Sequence, residues 1–305
     1  MKEYDVAVLL CTLNGNKYLE DQLNSIFIQS HKKWKIFVSD DGSIDDTKEI
    51  LERFKHKIGS DKITIINGPR KGYAENFMSL AVNAEIKADF YFFCDQDDIW
   101  FENKIERSIY FINRNGPCLY GSSTMLGDKK GKVYGLSPIF NYPKNFRNAL
   151  VQCVVGGNTL AFNHEFKKII EKVGVVSVVS HDWWLYQLIT AMEGFFHYDK
   201  EPSLIYRQHP QSIIGNNVSI AARVNRVGMV LNNRYRKWND VNINALDHIE
   251  HLMKVDTKDS YRYFKLARQA HSLKDRIRLM NISGVYRQSR WGTFSLFIAV
   301  LFGKV

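Results

Sequence analysis

The feature that most restricts the fold is an uninterrupted apolar run, Phe90 to Cys94, followed directly by the acidic segment Asp95-Gln96-Asp97-Asp98. A run of this length is typical of a central parallel strand that is covered on both faces. In open α/β sheets, ligands bind just outside the carboxyl ends of such strands. The acidic residues therefore stand where a sheet of this class would bind a ligand.

Two interpretations of the acidic segment are open. Asp95 and Asp97 are two residues apart, so on an extended chain their side chains point the same way. Oxygen ligands in this arrangement suit Mg²⁺ or Mn²⁺ bridging to a diphosphate. Alternatively, the segment is an acidic turn in which Asp98 caps the helix that follows.

A second short apolar segment, residues 35–38, ends in the same way. It runs into Ser39, the paired carboxylates Asp40 and Asp41, and Gly42. Gly42 permits a tight turn, and the residues at 45–47 can cap a following helix. An ordinary strand-to-helix turn explains the glycine and the caps but not the carboxylate pair, which could accept hydrogen bonds from a nucleobase or from ribose hydroxyls.

The first apolar segment, residues 6–11, follows the same plan and runs into Thr12-Leu13-Asn14-Gly15. The helix after it carries apolar residues at helical spacing. Three such units within about the first hundred residues predict a doubly wound α/β domain, with a mostly parallel sheet, helices on both faces and right-handed crossovers. All three polar loops would then lie along one edge of that sheet.

Taken together, these segments resemble the successive motifs of inverting family 2 glycosyltransferases of the GT-A fold, a Rossmann-like fold. The motifs are Leu10-Cys11-Thr12-Leu13-Asn14-Gly15, Val38-Ser39-Asp40-Asp41-Gly42-Ser43, Asn67-Gly68-Pro69-Arg70-Lys71-Gly72 with Asn76-Phe77, and Asp95-Gln96-Asp97-Asp98. Three later segments resemble the rhamnosyltransferase-like branch that builds bacterial surface polysaccharides. They are Val155-Gly156-Gly157-Asn158-Thr159, Ser180-His181-Asp182-Trp183-Trp184 and Tyr206-Arg207-Gln208-His209. The resemblance covers residues 4–216.

The resemblance implies a role for each matching residue. A nucleotide would be bound by Thr12, Asn14, Asp40, Asp41, Gly72, Asn76 and Asp95. Mg²⁺ or Mn²⁺ would be held by Asp95, Asp97 and His209. Asp182 would be the general base that deprotonates the acceptor hydroxyl, and in-line attack opposite the diphosphate would invert the anomeric centre.

Three of the implied roles have structural alternatives. Asp182, before two tryptophans at a helix start, could instead be an N-cap residue. Trp183 and Trp184 could stack on sugar faces as donor or acceptor contacts, or they could pack in the core. Arg207 could pair with the diphosphate in bidentate fashion or with a nearby carboxylate.

The identity of the donor is less restricted than the reaction class. Asn158 stands where relatives more often carry a small or thiol residue, and His209 is followed by Pro-Gln-Ser, with Asn216 and Asn217 displaced from their usual place. A donor linked to dTDP or to UDP, carrying rhamnose or another hexose, fits the motifs. The acceptor would be a lipid-linked glycan of O-antigen, capsule or cell-wall synthesis, recognised by variable loops such as residues 120–145.

The positive charge lies in the last part of the chain. Residues 217–305 contain 16 Lys and Arg residues and 6 Asp and Glu residues, so they carry the whole formal surplus of +10. We therefore predict a catalytic domain over residues 1–216 and a basic, helical C-terminal region over 217–305. Such helices suit an anionic membrane surface. The apolar end, residues 291–302, is too short to span a bilayer; it could dip into the membrane or pack on the protein.

Composition restricts the remaining alternatives. The four cysteines lack metal-type spacing and lie in or near apolar strands, which favours reduced core thiols. No secretory signal or spanning segment is evident, which predicts a cytoplasmic protein that is peripheral on the inner face of the membrane. A catalytically inactive nucleotide-sugar-binding module stays open. No nucleic-acid partner is expected, because no recognition signature accompanies the basic tail.

Overall fold

The computed structural model describes residues 3–209 and 233–305, and the chain divides into two compact units. The first comprises the residues up to Ser137, Val155–Val176 and the segment that begins at Phe195. The second comprises Pro138–Val154, Ser177–Gly194 and the C-terminal helices. The domain boundary expected at residue 216 lies outside the described residues, as do Asn216 and Asn217, so these stay predictions.

Eleven strands lie in the described part of the first unit. They are β1 (Val6–Thr12), β2 (Trp34–Asp40), β3 (Ile63–Asn67), β4 (Phe90–Cys94), β5 (Ile99–Trp100), β6 (Cys118–Ser122), β7 (Met125–Gly127), β8 (Val133–Leu136), β9 (Ala161–Asn163), β10 (Phe195–Asp199) and β11 (Leu204–Arg207). Its helices are α1 (Leu19–Phe27), α2 (Thr47–Ile58), α3 (Tyr73–Ala81), α4 (Lys104–Ile112) and α6 (His164–Val173).

The main sheet has seven strands in the order β10-β6-β9-β4-β1-β2-β3. Neighbouring strands are parallel except at β9, which runs antiparallel to β4 and β6. Every residue of β1 and β4 is buried, as their continuous apolar sequences predict for strands covered on both faces. The predicted mostly parallel α/β sheet is confirmed.

The register of the central strands aligns their carboxyl ends. Thr12 of β1 is opposite Asp40 of β2, and Leu10 of β1 is opposite Cys94 of β4. The loops that follow these three strands therefore leave the sheet along the same edge. This confirms that the polar segments after the three apolar runs share one edge.

A smaller sheet, in the order β5-β11-β7-β8, brings the acidic segment close to His209. Strand β5 begins one residue after Asp98 and pairs antiparallel with β11, which ends two residues before His209. The alternative in which Asp98 caps a helix is wrong, because β5 follows it directly and α4 begins only at Lys104, after an N-cap at Asn103.

The second unit is helical. Its helices are α5 (Phe146–Ala149), α7 (His181–Ala191), α8 (Arg234–His248), α9 (Val255–Gln269), α10 (Leu273–Ser283) and α11 (Arg290–Leu301). Every residue of α7 is buried, which makes it the core of this unit. The predicted helical tail is confirmed from Arg234 onward, and the first part of its predicted helical period falls in residues 210–232, outside the described residues. None of the helices in residues 3–209 and 233–305 has the length and apolar character needed to cross a membrane.

The cysteines are all free thiols, as predicted. Cys11, Cys94 and Cys118 are buried, and Cys153 is half-buried. Burial raises the pKa of Cys11 and of Cys94 well above the usual value, so both thiols stay protonated at neutral pH. We therefore assign these two cysteines to core packing rather than to nucleophilic chemistry.

Candidate functional site

The turn after β2 is organised around Asp40, whose residue surface is only 2% exposed. Its carboxylate accepts hydrogen bonds from Thr12 Oγ1 at 2.9 Å, from Ser43 N at 2.9 Å and from Ser43 Oγ at 2.5 Å. Burial alone would raise the pKa of Asp40, but the hydrogen bonds from Ser43, Thr12 and Gly42 outweigh it and hold the pKa below its usual value. Thr12 and Asp40 thus shape the turn internally, and their contact with a nucleotide stays a prediction.

Asn14 joins the loop after β1 to the loop after β2. Its backbone adopts a φ of 49°, a left-handed conformation that Asn tolerates better than most residues. The backbone N–H of Asn14 donates to Ser43 Oγ at 2.8 Å, and its side-chain Oδ1 accepts from Ile44 N at 2.9 Å. Gly15 N donates to Thr47 Oγ1 at 2.8 Å in the same junction. These bonds hold the two loops as one rigid rim.

Asp41 positions the loop between β3 and α3. Its Oδ1 accepts from Arg70 N at 2.6 Å, and its Oδ2 accepts from Gly72 N at 3.3 Å. Gly72 lies at the N-cap of α3 with a φ of 92°, where glycine is favoured. A Cβ atom at Gly68 would lie 2.9 Å from Asp41 Cα, so this loop can approach Asp41 closely only with glycine there.

Asn76 is buried beneath this loop rather than open to solvent. Its side chain makes two hydrogen bonds to Ser39: Ser39 Oγ donates to Oδ1 at 2.5 Å, and Nδ2 donates to the Ser39 carbonyl at 3.1 Å. Its residue surface is 2% exposed. The structure therefore brings Asn76 to the end of β2, where it supports the loop predicted to close over a nucleotide.

Gln96 is a site residue that the sequence reasoning missed. Its side-chain amide pairs with the backbone of Leu13, accepting from the Leu13 amide at 2.8 Å and donating to its carbonyl at 3.0 Å. A Cβ atom at Gly15 would overlap Gln96 Oε1. The sequence did contain a signal for Gln96. In an extended segment successive side chains alternate in direction, so the side chain of residue 96 points away from those of residues 95 and 97.

Asp97 and His209 meet at the junction of the two sheets. His209 Nε2 lies 2.8 Å from Asp97 Oδ2, and the imidazole ring packs on Tyr18 with centroids 4.8 Å apart. Asp95, at the end of β4, is half-buried. The resemblance implied that Asp97 and His209, 112 positions apart in the sequence, bind the same cation, and the structure brings their side chains together.

These side chains suit a divalent cation that takes its other ligands from a bound diphosphate. Within residues 3–209 and 233–305, no three Asp, Glu, His or Cys side chains already converge as a complete cation site. The Asp97–His209 pair offers a carboxylate oxygen and an imidazole nitrogen, a donor set that Mn²⁺ accepts. Asp95 lies two residues before Asp97 and is the third candidate ligand.

Arg207 forms an ion pair within the protein. Its Nη2 lies 2.9 Å from Asp21 Oδ2, and its guanidinium carbon lies 4.6 Å from the centroid of the Tyr18 ring. The residue is 2% exposed. Of the two alternatives for Arg207, the structure shows the pairing with a nearby carboxylate. Tyr18 is thus in contact with both Arg207 and His209, so Arg207 helps to position the ring on which His209 packs.

A buried polar cluster lies directly behind the acidic segment. Asp98 Oδ2 accepts from Asn158 Nδ2 at 2.7 Å, and Lys104 Nζ donates to the Asn158 carbonyl at 2.6 Å. Burial, with a contribution from Asp97, raises the pKa of Asp98 to about 8, and burial lowers the pKa of Lys104 to about 7. Both shifts favour the neutral forms. Lys104 was missed because a lysine in the first turn of a helix usually points to solvent.

The segment around Asp182 belongs to the second unit. Ser180 is the N-cap of α7 and Asp182 is its second residue, so Asp182 is not an N-cap. Asp182 is 5% exposed, and its Oδ1 accepts from Trp183 N at 2.7 Å. Burial lowers the pKa of the neighbouring His181 to about 4. The role of Asp182 as a base stays a prediction.

The two tryptophans after Asp182 are core residues in this structure. Trp183 Nε1 donates to the Ala149 carbonyl at 2.7 Å, and its residue surface is 5% exposed. Trp184 has no exposed surface. Of the two alternatives, core packing is therefore the one observed, because neither indole presents a face that a sugar could cover.

Comparisons with known proteins agree with the geometry of the first unit. The family model "Glycosyl transferase family 2" matches residues 7–174. The chain is 33% identical over 238 residues to dTDP-rhamnosyl transferase RfbG of Shigella flexneri, covering 75% of this chain and 81% of that protein. It is 27% identical over 161 residues to UDP-Glc:alpha-D-GlcNAc-diphosphoundecaprenol beta-1,3-glucosyltransferase WfgD of Escherichia coli, covering 50% of this chain and 60% of that protein.

Solved structures share the fold. A mannosyltransferase from Pyrobaculum calidifontis, PcManGT, in complex with GDP-Man and Mn²⁺ has a TM-score of 0.52 and 16% identity, covering 100% of this chain and 86% of that one. Residues 1–349 of S. aureus TarS, in complex with UDP-GlcNAc, have a TM-score of 0.52 and 12% identity, covering 91% of this chain and 79% of that one. These likenesses confirm the predicted GT-A fold.

Proposed function

Because the chain belongs to glycosyl transferase family 2, we propose that it is a metal-dependent, inverting transferase that moves a sugar from a nucleotide diphosphate to a hydroxyl of a lipid-linked glycan. The observation that carries this proposal is the 2.8 Å contact between His209 Nε2 and Asp97 Oδ2. It unites two candidate cation ligands at the carboxyl end of β4, beside the loops that follow β1 and β2.

The first unit would bind the donor. The rim built by Asn14, Asp40 and Asp41 has the rigidity that a nucleotide site requires, because its loops are hydrogen-bonded to one another. Asp95, Asp97 and His209 would hold Mg²⁺ or Mn²⁺, which when bound supplies positive charge against the departing diphosphate. The solved relative PcManGT is in complex with Mn²⁺, which supports this assignment.

Asp182 would take the proton from the acceptor hydroxyl. As that proton moves to the carboxylate, the hydroxyl oxygen bonds to the anomeric carbon, and the bond from that carbon to the diphosphate oxygen breaks. Attack from the side opposite the diphosphate inverts the configuration. Asp182 as a residue is 5% exposed, a burial that would strengthen its interaction with a bound hydroxyl.

Sequence similarity favours rhamnose as the sugar and dTDP as its carrier, since RfbG is a dTDP-rhamnosyl transferase and aligns with 75% of this chain. For the acceptor, WfgD acts on a sugar linked to diphosphoundecaprenol, and its similarity covers 50% of this chain. A glycan on a polyprenyl diphosphate is therefore the acceptor class that we propose.

The test measures donor use by the purified full chain. dTDP-rhamnose, UDP-glucose, UDP-GlcNAc and GDP-mannose are compared by thermal shift and by release of nucleoside diphosphate, with Mn²⁺ or with excess EDTA. We expect dTDP-rhamnose with Mn²⁺ to give the largest rise in melting temperature, because a ligand bound only by the folded state stabilises it. Product release should occur only when an acceptor lipid is also present.

The outcomes separate the competing functions. A thermal shift without product release in the presence of acceptor indicates a nucleotide-sugar-binding module. A rise in melting temperature with a UDP-linked donor but not with dTDP-rhamnose would support the proposed reaction class and would exclude dTDP-rhamnose as the donor. Full turnover in EDTA removes the cation from the proposal. Asp61→Asn, an exposed carboxylate outside the site, is the matched control for carboxylate variants.

A further inference from the structure

Helix α11 carries a row of exposed apolar side chains. Trp291 is 79% exposed, Phe294 57% and Ile298 39%, and Phe302, directly after the helix, is 72% exposed. Their spacings of three, four and four residues place them on one side of an α-helix. We call these four residues the α11 stripe. Large apolar side chains that are exposed side by side mark an interaction surface.

The opposite side of α11 is part of the core of the second unit. Leu296, Ala299 and Val300 are 2–3% exposed. Both ends of the helix are also bonded: Ser289 Oγ caps Gly292 N at 2.9 Å, and Arg268 Nε donates to the Val305 carbonyl at 2.8 Å. The helix is therefore a fixed part of this unit, and the α11 stripe cannot turn inward to become buried.

The charged residues in the part of the sequence that contains α11 all have one sign. Residues 276–305 contain five Lys and Arg residues and no Asp or Glu. Arg290 begins the helix and is exposed, and Lys304 follows its end. A helix that carries an exposed apolar row within a basic segment is complementary to a bilayer with anionic headgroups, which offers apolar depth and negative charge together.

We infer that α11 lies in the plane of an anionic lipid surface, with the α11 stripe immersed in the boundary between headgroups and acyl chains. The helix has 12 residues, a length of about 18 Å at 1.5 Å per residue, which is too short to span a bilayer. A tryptophan suits this boundary because its ring is apolar and its N–H can stay hydrated. The inference deepens the proposed function, since a lipid-linked acceptor requires an enzyme at a membrane surface.

A second copy of the chain is the competing occupant, and the charge disfavours it. Residues 217–305 carry a net charge of +10. Pairing two α11 stripes would bring two such regions together and set like charges against each other. Anionic lipid headgroups would attract the same basic residues. The residues that oppose self-association therefore favour binding to the bilayer.

The experiment measures sedimentation of the full chain with vesicles that contain neither glycan nor nucleotide sugar. Phosphatidylcholine vesicles are compared with vesicles containing phosphatidylglycerol, at low and at high salt. Trp291→Ser, Phe294→Ser and Ile298→Ser are combined in a stripe variant. A matched control combines Tyr110→Ser, Val175→Ser and Val255→Ser, three residues that are 79%, 49% and 77% exposed elsewhere.

We expect the wild-type chain and the matched control to bind anionic vesicles, and this binding should weaken as the salt concentration rises. Both should bind neutral vesicles more weakly still. The stripe variant should lose about tenfold or more in apparent affinity, because its side chains no longer bury apolar area in the lipid. Its melting temperature and its turnover of a soluble acceptor analogue should match those of the control.

Three results would overturn the inference. Equal vesicle binding by the stripe variant and the control would exclude α11 as the contact. Binding that does not depend on lipid charge would exclude the electrostatic attraction. If gel filtration found the wild-type chain to be a dimer and the stripe variant a monomer, with no change in lipid binding, the surface would be assigned to self-association. None of these readouts requires catalysis, so failure of the proposed transferase activity would be recognised separately.

Discussion

Asn158 donates a hydrogen bond of 2.7 Å to Asp98, and this bond ties the turn before β9 to the acidic segment after β4. The carbonyl of the same residue accepts from Lys104 Nζ at 2.6 Å. Asp98 and Lys104 are both fully buried, so Asn158 makes one hydrogen bond to each of two polar groups that have no access to water. The asparagine that distinguishes this turn therefore holds Asp98 in place next to Asp97.

We predict that Asn158→Ala lowers the free energy of unfolding by about 1–3 kcal/mol, the usual cost of leaving a buried polar group without its partner. Turnover should fall as well, because the backbone at Asp97 is no longer fixed by its neighbour. Urea unfolding and steady-state kinetics measure the two effects. Asn115→Ala, an exposed asparagine in the same unit, is the control; equal stability of the two variants would show that the Asn158 bond contributes nothing.

We predict that Asp97→Asn reduces turnover by a factor on the order of 10² or more, because the departing diphosphate would lose its positioned counter-charge. His209→Gln should raise the Mn²⁺ concentration needed for half-maximal rate. Turnover is measured against Mn²⁺ concentration, and circular dichroism reports whether each variant is folded. Normal turnover by Asp97→Asn, with Asp61→Asn as the matched control, would exclude Asp97 from the cation site.

Asp182→Asn tests the proposed base. Donor affinity should be unchanged while kcat falls by a factor on the order of 10² to 10⁴, the range expected when a general base is lost. Isothermal titration measures donor binding, and nucleoside diphosphate release measures kcat. A variant that keeps kcat but loses donor affinity would identify Asp182 as a binding residue instead.

The strands and their polar loops could be predicted because their cause is local. The continuous apolar run of β4 indicates burial on both faces, and the residues that follow it must then lie at the sheet edge. Of the two alternatives for the acidic segment, the helix cap at Asp98 was wrong; the sequence did not reveal β5, because a strand of two residues is too short for a periodic signal. Because Asp40 and Asp95 each stand at the end of a predicted parallel strand, the sequence was enough to predict that they lie at one edge of the sheet.

Side-chain partners outside the family motifs could not be predicted, because they depend on residues far apart in the chain. Lys104 bonds to a residue 54 positions away, and Arg207 pairs with Asp21 across 186 positions. The sequence near Lys104 and near Arg207 contains no signal that identifies either partner. For the same reason, the tryptophans after Asp182 could be assigned to the core only once α7 was seen to be buried on all sides.

Gly68→Ala tests the packing of the nucleotide loop. The added Cβ would lie 2.9 Å from Asp41 Cα, a backbone atom that cannot rotate away. The loop must then shift, and we predict a loss of donor affinity of about tenfold, since a shift of this kind degrades a rigid site. Gly135→Ala is the control, because its Cβ would meet only Leu126 Cδ1 at 3.8 Å. Equal donor affinity in both variants would show that the loop tolerates displacement.

His181 makes the stability of the protein sensitive to acid. Burial lowers its pKa to about 4 in the folded state, against about 6.5 in an unfolded chain. Below pH 6.5 the unfolded state binds a proton that the folded state does not, so the free energy of unfolding falls as the pH drops towards 4. At still lower pH both states are protonated, and the contribution of His181 no longer changes.

A pKa difference of this size corresponds to about 3 kcal/mol over the interval from pH 6.5 to pH 4. We therefore predict that His181→Gln flattens the decline of stability in this interval by about that amount, although the variant is less stable at pH 7 because a buried side chain has been replaced. Urea unfolding at several pH values measures the slope, with the exposed His271→Gln as the control. Since the slope depends on proton binding and not on packing, an unchanged slope in His181→Gln would show that His181 does not titrate in this way.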